Sequence, residues 1–83
     1  MNDAESIKQR VFKVVSDVMA VPVKMINVSS SPDNIEGWDS LKQMNLVLSL
    51  EEEFDILFDD QQILEMQNVE LIVAVLAEAL SSG

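Results

Sequence analysis

Apolar residues recur along this chain at the spacing of one face of an α-helix, and that pattern limits the possible fold more than any other feature. In residues 4–19 they occupy positions i, i+4, i+7, i+8 and i+11, namely Ile7, Val11, Val14, Val15 and Val18. No run alternates apolar and polar residues for long enough to predict a sheet. We therefore predict an all-α fold.

Turn and cap residues divide the 83-residue chain into four predicted helices. Pro22 ends the first helix, Asp59 or Asp60 can cap a short third helix, and Asn68 can cap the last. We expect a single domain over residues 1–83, folded as a four-helix bundle of three longer helices and one short helix with a long first loop. The predicted helices cover about residues 4–19, 40–54, 60–65 and 69–80.

The second long helix carries two apolar stripes. At 100° per residue from Leu41, the first stripe falls between about 140° and 240° and contains Leu46, Val47, Leu50 and Phe54. The second stripe falls between about 300° and 0° and contains Leu41, Met44 and Leu48. A surface helix of a small bundle needs one buried face. The second stripe therefore either meets another helix of the bundle or stays exposed for a partner.

The formal charge of −10 is unevenly placed. Residues 1–30 hold four cations and three anions, whereas residues 31–83 hold one cation and twelve anions. This balance argues against nucleic-acid binding, which needs a basic face. It is compatible either with basic protein partners or with an acidic surface that serves only solubility.

The residue content also argues against an enzyme. The chain has no His and no Cys, and Ser40 and Lys42 are two residues apart, so they cannot face each other on a helix. The acidic residues lack the spacing of a calcium loop, so we expect no metal site. No segment has the roughly 18 apolar residues of a membrane span, and the missing cysteines suit a reducing cytoplasm.

Asp39 and Ser40 stand where the second predicted helix begins. Either can be its N-cap, and Ser40 with Gln43 has the spacing of a capping box. A serine here lies where free backbone N–H groups and the helix dipole favour an anion. Taken alone, the serine is more often only a cap.

The sequence Asp39-Ser40-Leu41, followed by the Glu51 to Ile56 run, resembles the acyl carrier protein family. The resemblance implies that a phosphopantetheinyl transferase reads Asp39 and attaches 4′-phosphopantetheine from coenzyme A to Ser40. It implies a non-enzymatic carrier that holds acyl intermediates as thioesters in fatty-acid, polyketide or related biosynthesis. The expected partners are this transferase and acyl-loading and acyl-transferring enzymes with basic docking patches, and the expected state is a cytoplasmic monomer.

The same resemblance assigns roles to further residues. The partner-binding surface is expected to contain Leu41, Met44, Leu48, Glu51 and Glu52. Phe58, Met66 and Val69 are expected to complete the core. A pocket for the tethered chain is expected between the second and third helices, lined by residues such as Ile63, Leu64 and Leu48.

Three residues depart from the pattern of fatty-acid synthase carriers. Lys42 and Asn45 stand where acidic residues are usual, and Trp38 stands where a small residue is usual. These departures favour a specialised carrier with a dedicated partner set. Two alternatives remain open on the sequence: a carrier of aminoacyl or D-alanyl groups, and a helical protein-interaction adaptor that is never modified.

Overall fold

A computed structural model describes residues 4–81 and shows four α-helices and no strand within that range. The helices are α1 (Ala4–Met19), α2 (Ser40–Phe54), α3 (Asp60–Glu65) and α4 (Val69–Ser81), with a 3-10 turn at Val23–Met25 between α1 and α2. The predicted fold class, with three longer helices, one short helix and a long first loop, is confirmed. The single-domain prediction also included residues 1–3 and 82–83, which lie outside the described residues.

The core lies where α1 packs against both α2 and α4. The first stripe of α2 is buried as predicted, and the second stripe is exposed. Phe58, Met66 and Val69 are buried, which confirms their predicted place in the core. The other buried apolar residues of the helices are Ile7, Val11, Val14, Val15, Met19, Ile72, Val75 and Leu76.

The helix ends are defined by local hydrogen bonds. Asp39, not Ser40, is the N-cap of α2, because its carboxylate accepts a bond from the backbone N–H of Lys42 at 2.9 Å. The capping-box spacing of Ser40 and Gln43 is therefore not used. A capping box forms instead at the start of α3, between Asp59 and Gln62.

The long first loop is tied to the start of α4. The backbone N–H groups of Val69 and Glu70 donate to the carbonyls of Ser30 and Val28, at 2.9 and 3.0 Å. These are helix-terminal donors that have no partner within their own helix. The loop that connects α1 to α2 therefore also supplies hydrogen-bond acceptors for the first N–H groups of α4. No helix among residues 4–81 has the length and apolar character needed to cross a membrane.

Candidate functional site

Ser40 is the first residue of α2 and is exposed. Its hydroxyl has no hydrogen-bond partner among residues 4–81, because the capping position belongs to Asp39. The backbone N–H groups at this end of the helix point toward the region that Ser40 occupies, and the helix dipole adds a partial positive charge there. The hydroxyl is thus accessible, and an anion attached to it would lie in a favourable field.

A cleft of about 660 Å³ opens beside Ser40. One wall comes from the end of the first loop and the start of α2, and the other from α3 and the residues after it. The residues that line it are Pro32, Asp33, Trp38, Asp39, Ser40, Gln43, Met44, Ile63, Leu64, Met66 and Gln67. Ile63 and Leu64 line it as expected. Leu48 does not, because it lies farther along α2 with its side chain exposed.

Two residues of the cleft, Trp38 and Gln43, form a hydrogen-bond bridge across it that the sequence did not reveal. The indole Nε1–H of Trp38 donates to Oε1 of Gln43 at 2.7 Å. The Nε2 of Gln43 in turn donates to the carbonyl of Met66 at 3.0 Å. The bridge joins the end of the first loop, α2 and the C-terminal end of α3. The size of the Trp38 side chain was the only sequence signal, because large aromatics with a polar atom are usually buried with a partner.

The second stripe of α2 forms an exposed apolar surface next to the cleft. Leu41 is 70% exposed, Met44 50% and Leu48 58%. None of these three residues is part of the core. Of the two possibilities that the sequence left open for this stripe, the structure shows the exposed one. An apolar strip of this kind, held on a rigid helix, is suited to contact with a partner.

The two acidic residues expected in the partner surface, Glu51 and Glu52, differ in their surroundings. Glu51 is half-buried, and its carboxylate accepts a hydrogen bond from the backbone N–H of Phe58 at 2.9 Å. It thereby holds the connection between α2 and α3. Glu52 is exposed, with no hydrogen bond or ion pair to any residue in 4–81. The Glu52 side chain is therefore free of polar contacts within residues 4–81, whereas one carboxylate oxygen of Glu51 is already engaged.

The side chain of Lys42, which stands where an acidic residue is usual in fatty-acid synthase carriers, is directed toward α1. It is half-buried, and its Nζ donates to the carbonyl of Val18 at 3.3 Å, at the end of α1. Residues two apart point to different sides of a helix, so Lys42 faces α1 while Ser40 faces the cleft. Within residues 4–81, no group of three or more His, Cys, Asp or Glu residues is arranged to hold a metal ion.

A small helical bundle that presents a free hydroxyl at a helix N-terminus, beside a partly apolar cleft, has the architecture of a carrier domain. Comparison with known proteins agrees. The family described as "Phosphopantetheine attachment site" matches residues 9–76. An acyl carrier protein from Cyanidium caldarium is 30% identical over 78 residues, which cover 94% of this chain and 91% of the relative. The chain belongs to the acyl carrier protein family.

Family membership makes the protein a carrier and not an enzyme, with 4′-phosphopantetheine as its prosthetic group. This group, when attached, supplies a thiol on a long arm, and the thiol forms thioesters with acyl groups. The residues present fit such a group. Ser40 offers an unpartnered, exposed hydroxyl, and the adjoining cleft is bounded by the apolar side chains of Met44, Ile63 and Leu64.

Proposed function

We propose that Ser40 carries the 4′-phosphopantetheine arm and that the protein presents acyl thioesters on this arm to partner enzymes. One observation supports the choice of Ser40 above all others. Its hydroxyl is exposed at the first turn of α2, and Asp39 takes the capping position that a serine would otherwise fill. The Ser40 hydroxyl is thereby left without a hydrogen-bond partner among residues 4–81, and Ser40 lines the cleft of about 660 Å³.

Intact mass measurement tests this assignment. The protein is incubated with coenzyme A and a phosphopantetheinyl transferase of broad specificity. We expect a mass gain of one phosphopantetheine in the wild type and none in Ser40→Ala. Ser29→Ala is the matched control, because Ser29 is also an exposed serine but lies in a turn of the first loop, and this variant should be modified like the wild type. A mass gain in Ser40→Ala would show that the arm is attached to another residue and would contradict the proposal.

We propose that partners dock on the exposed stripe of Leu41, Met44 and Leu48, with Glu52 at its edge. The apolar stripe begins one residue after Ser40, so a partner bound there lies beside the arm. The negative charge of residues 31–83 suits basic docking patches on the transferase and on enzymes that load or transfer acyl groups.

A pair of methionine variants tests this surface. Met44 and Met25 are 50% and 60% exposed, but only Met44 lies on the stripe. Met44→Ala should raise the KM of the transferase for the carrier several-fold, and Met25→Ala should leave it unchanged. Equal effects of the two substitutions would exclude a specific role for the stripe.

We further propose a specialised carrier, in the cytoplasm, that serves acyl transfer in fatty-acid, polyketide or related biosynthesis. Support comes from Lys42, which is turned toward α1, and from Asn45, because both leave the start of α2 less negative than in fatty-acid synthase carriers. Incubating the modified protein with acyl and aminoacyl ligases tests the cargo class. Loading by fatty-acyl ligases supports a role in fatty-acyl or related transfer. Exclusive loading of D-alanine or another amino acid contradicts that role.

A further inference from the structure

We propose that Gln43 is a specificity-determining residue that closes the inner end of the cleft and keeps long alkyl cargo out of the core. The inference rests on the proposed attachment of the arm at Ser40. Ser40 and Gln43 are three residues apart on α2, so they share one face of the helix, and both line the cleft. A chain that enters past Ser40 therefore meets the Gln43 amide within one helical turn.

The bridge is anchored in buried groups on both sides. Trp38 is 5% exposed and Met66 is 1% exposed, so neither the indole N–H nor the Met66 carbonyl can readily turn to water if the amide leaves. A buried donor or acceptor without a partner is strongly unfavourable. An alkyl chain offers no hydrogen bond in exchange. It would have to displace the amide and leave both groups unsatisfied.

The two parts of the cleft differ in polarity. Met44, Ile63 and Leu64 provide apolar contacts, whereas Gln43 contributes a polar amide that is bonded to the Trp38 indole N–H and to the Met66 carbonyl. Within residues 4–81, Gln43 is also the only side chain of α2 that hydrogen-bonds the end of α3. The cleft therefore accommodates a short acyl group, or one whose polar substituent can bond to the amide. A long alkyl chain stays in solvent or on a partner.

Thioester protection tests the inference. The wild type, Gln43→Ala and Gln43→Glu are loaded with acetyl-phosphopantetheine or octanoyl-phosphopantetheine, and the rate of thioester cleavage by hydroxylamine is measured. In the wild type we expect the octanoyl thioester to be cleaved at least as fast as the acetyl thioester. In Gln43→Ala the octanoyl thioester should be protected by roughly tenfold relative to acetyl, the factor expected from burying about two methylene groups.

Gln43→Glu and one further variant, Asn45→Ala, make the result specific. Gln43→Glu keeps an acceptor for Trp38 but cannot donate to Met66, so it should protect the octanoyl thioester to an intermediate degree. Asn45→Ala is the matched control, because Asn45 is exposed on the same helix and does not line the cleft; it should behave like the wild type. Strong protection of the octanoyl thioester in the wild type, or none in Gln43→Ala, overturns the inference.

A second readout uses the unmodified protein. The chain has one tryptophan, so its indole N–H gives a single assignable NMR signal. Hydrogen exchange of this group should be slow in the wild type and in Asn45→Ala, and faster in Gln43→Ala. Fast exchange in the wild type would contradict a closed bridge. Intact mass separates the two proposals: a protein without an arm on Ser40 overturns both, whereas a loaded protein with the wrong protection pattern overturns only the role of Gln43.

Discussion

The guanidinium group of Arg10 lies over the ring of Phe54, with its central carbon 4.2 Å from the ring centroid. Arg10 also donates from Nε to the carboxylate of Glu53 at 3.0 Å and from Nη2 to the Glu53 carbonyl at 2.8 Å. One side chain of α1 thus holds the last turn of α2 by three different contacts. Together they fix how far the C-terminal end of α2 lies from α1.

Arg10→Ala should lower the free energy of unfolding by about 1 to 2 kcal/mol, measured by urea denaturation. The ion pair itself contributes little, because Arg10 and Glu53 are 38% and 42% exposed and water screens them. The cation–π contact and the bond to the carbonyl supply most of the effect. Lys13→Ala is the control, since Lys13 is exposed on the same helix. An equal decrease in the free energy of unfolding in both variants would show that these contacts do not stabilise the protein.

Ala20→Gly should raise the free energy of unfolding by up to about 1 kcal/mol. Ala20 follows α1 with a φ of 59°, in the left-handed region that disfavours residues with a Cβ. Ala74→Gly is the contrasting variant, because Ala74 is exposed within α4 and a glycine there should cost about 1 kcal/mol. Thermal melting of the two variants should therefore shift in opposite directions. A loss of stability in Ala20→Gly would contradict the argument.

Glu51→Ala should destabilise the protein by about 1 to 2 kcal/mol, and Glu52→Ala by less than about 0.5 kcal/mol. The first substitution leaves the half-buried N–H of Phe58 without its acceptor, whereas the second removes an exposed side chain. Chemical denaturation measures both values. Partner binding should respond differently from stability: Glu52→Ala should weaken docking although it leaves the free energy of unfolding almost unchanged. A stable Glu51→Ala variant would argue against the Phe58 contact.

Asp39 combines a helix cap with a negative charge, and two substitutions separate these properties. Asp39→Asn keeps a good N-cap and removes the charge, so stability should stay within about 0.5 kcal/mol of the wild type. Asp39→Ala should lower the free energy of unfolding by about 1 kcal/mol. If the transferase reads the carboxylate, both variants should be modified slowly. Wild-type modification of Asp39→Asn would restrict Asp39 to capping.

The fold should become more stable as salt is added. Residues 31–83 hold twelve anions and one cation, and salt at about 0.1 M reduces the range of their repulsion to about 10 Å. The exposed Arg10–Glu53 pair weakens under the same conditions, but a single surface pair contributes less than the repulsion among many like charges. Melting temperature measured from low to moderate ionic strength tests this, and a flat or falling curve is the contrary outcome.

Local features of the sequence predicted much of the fold. Asn68 caps α4 as predicted, and Asp59, one of the two predicted candidates, caps α3. The two stripes of α2 separate by helical geometry alone, and the more apolar stripe is the buried one. The Asp39-Ser40-Leu41 sequence indicated the family only together with the Glu51 to Ile56 run at the other end of the same helix. All of these depend on residues within one predicted helix and its immediate flanks.

The bridge and the inter-helix contacts were decided by tertiary structure. Gln43 reaches Met66 across 23 residues of sequence, Lys42 reaches Val18 across 24 and Arg10 reaches Glu53 across 43. Nothing in the periodicity of one helix specifies which polar groups of another segment come within hydrogen-bond distance. That depends on how the buried stripes of α1, α2 and α4 fit together. The sequence by itself therefore determined the helices, the few residues that could cap them and the candidate serine. Only the packing of those helices decided which polar side chains surround that serine, because such contacts form between segments that the chain does not hold close.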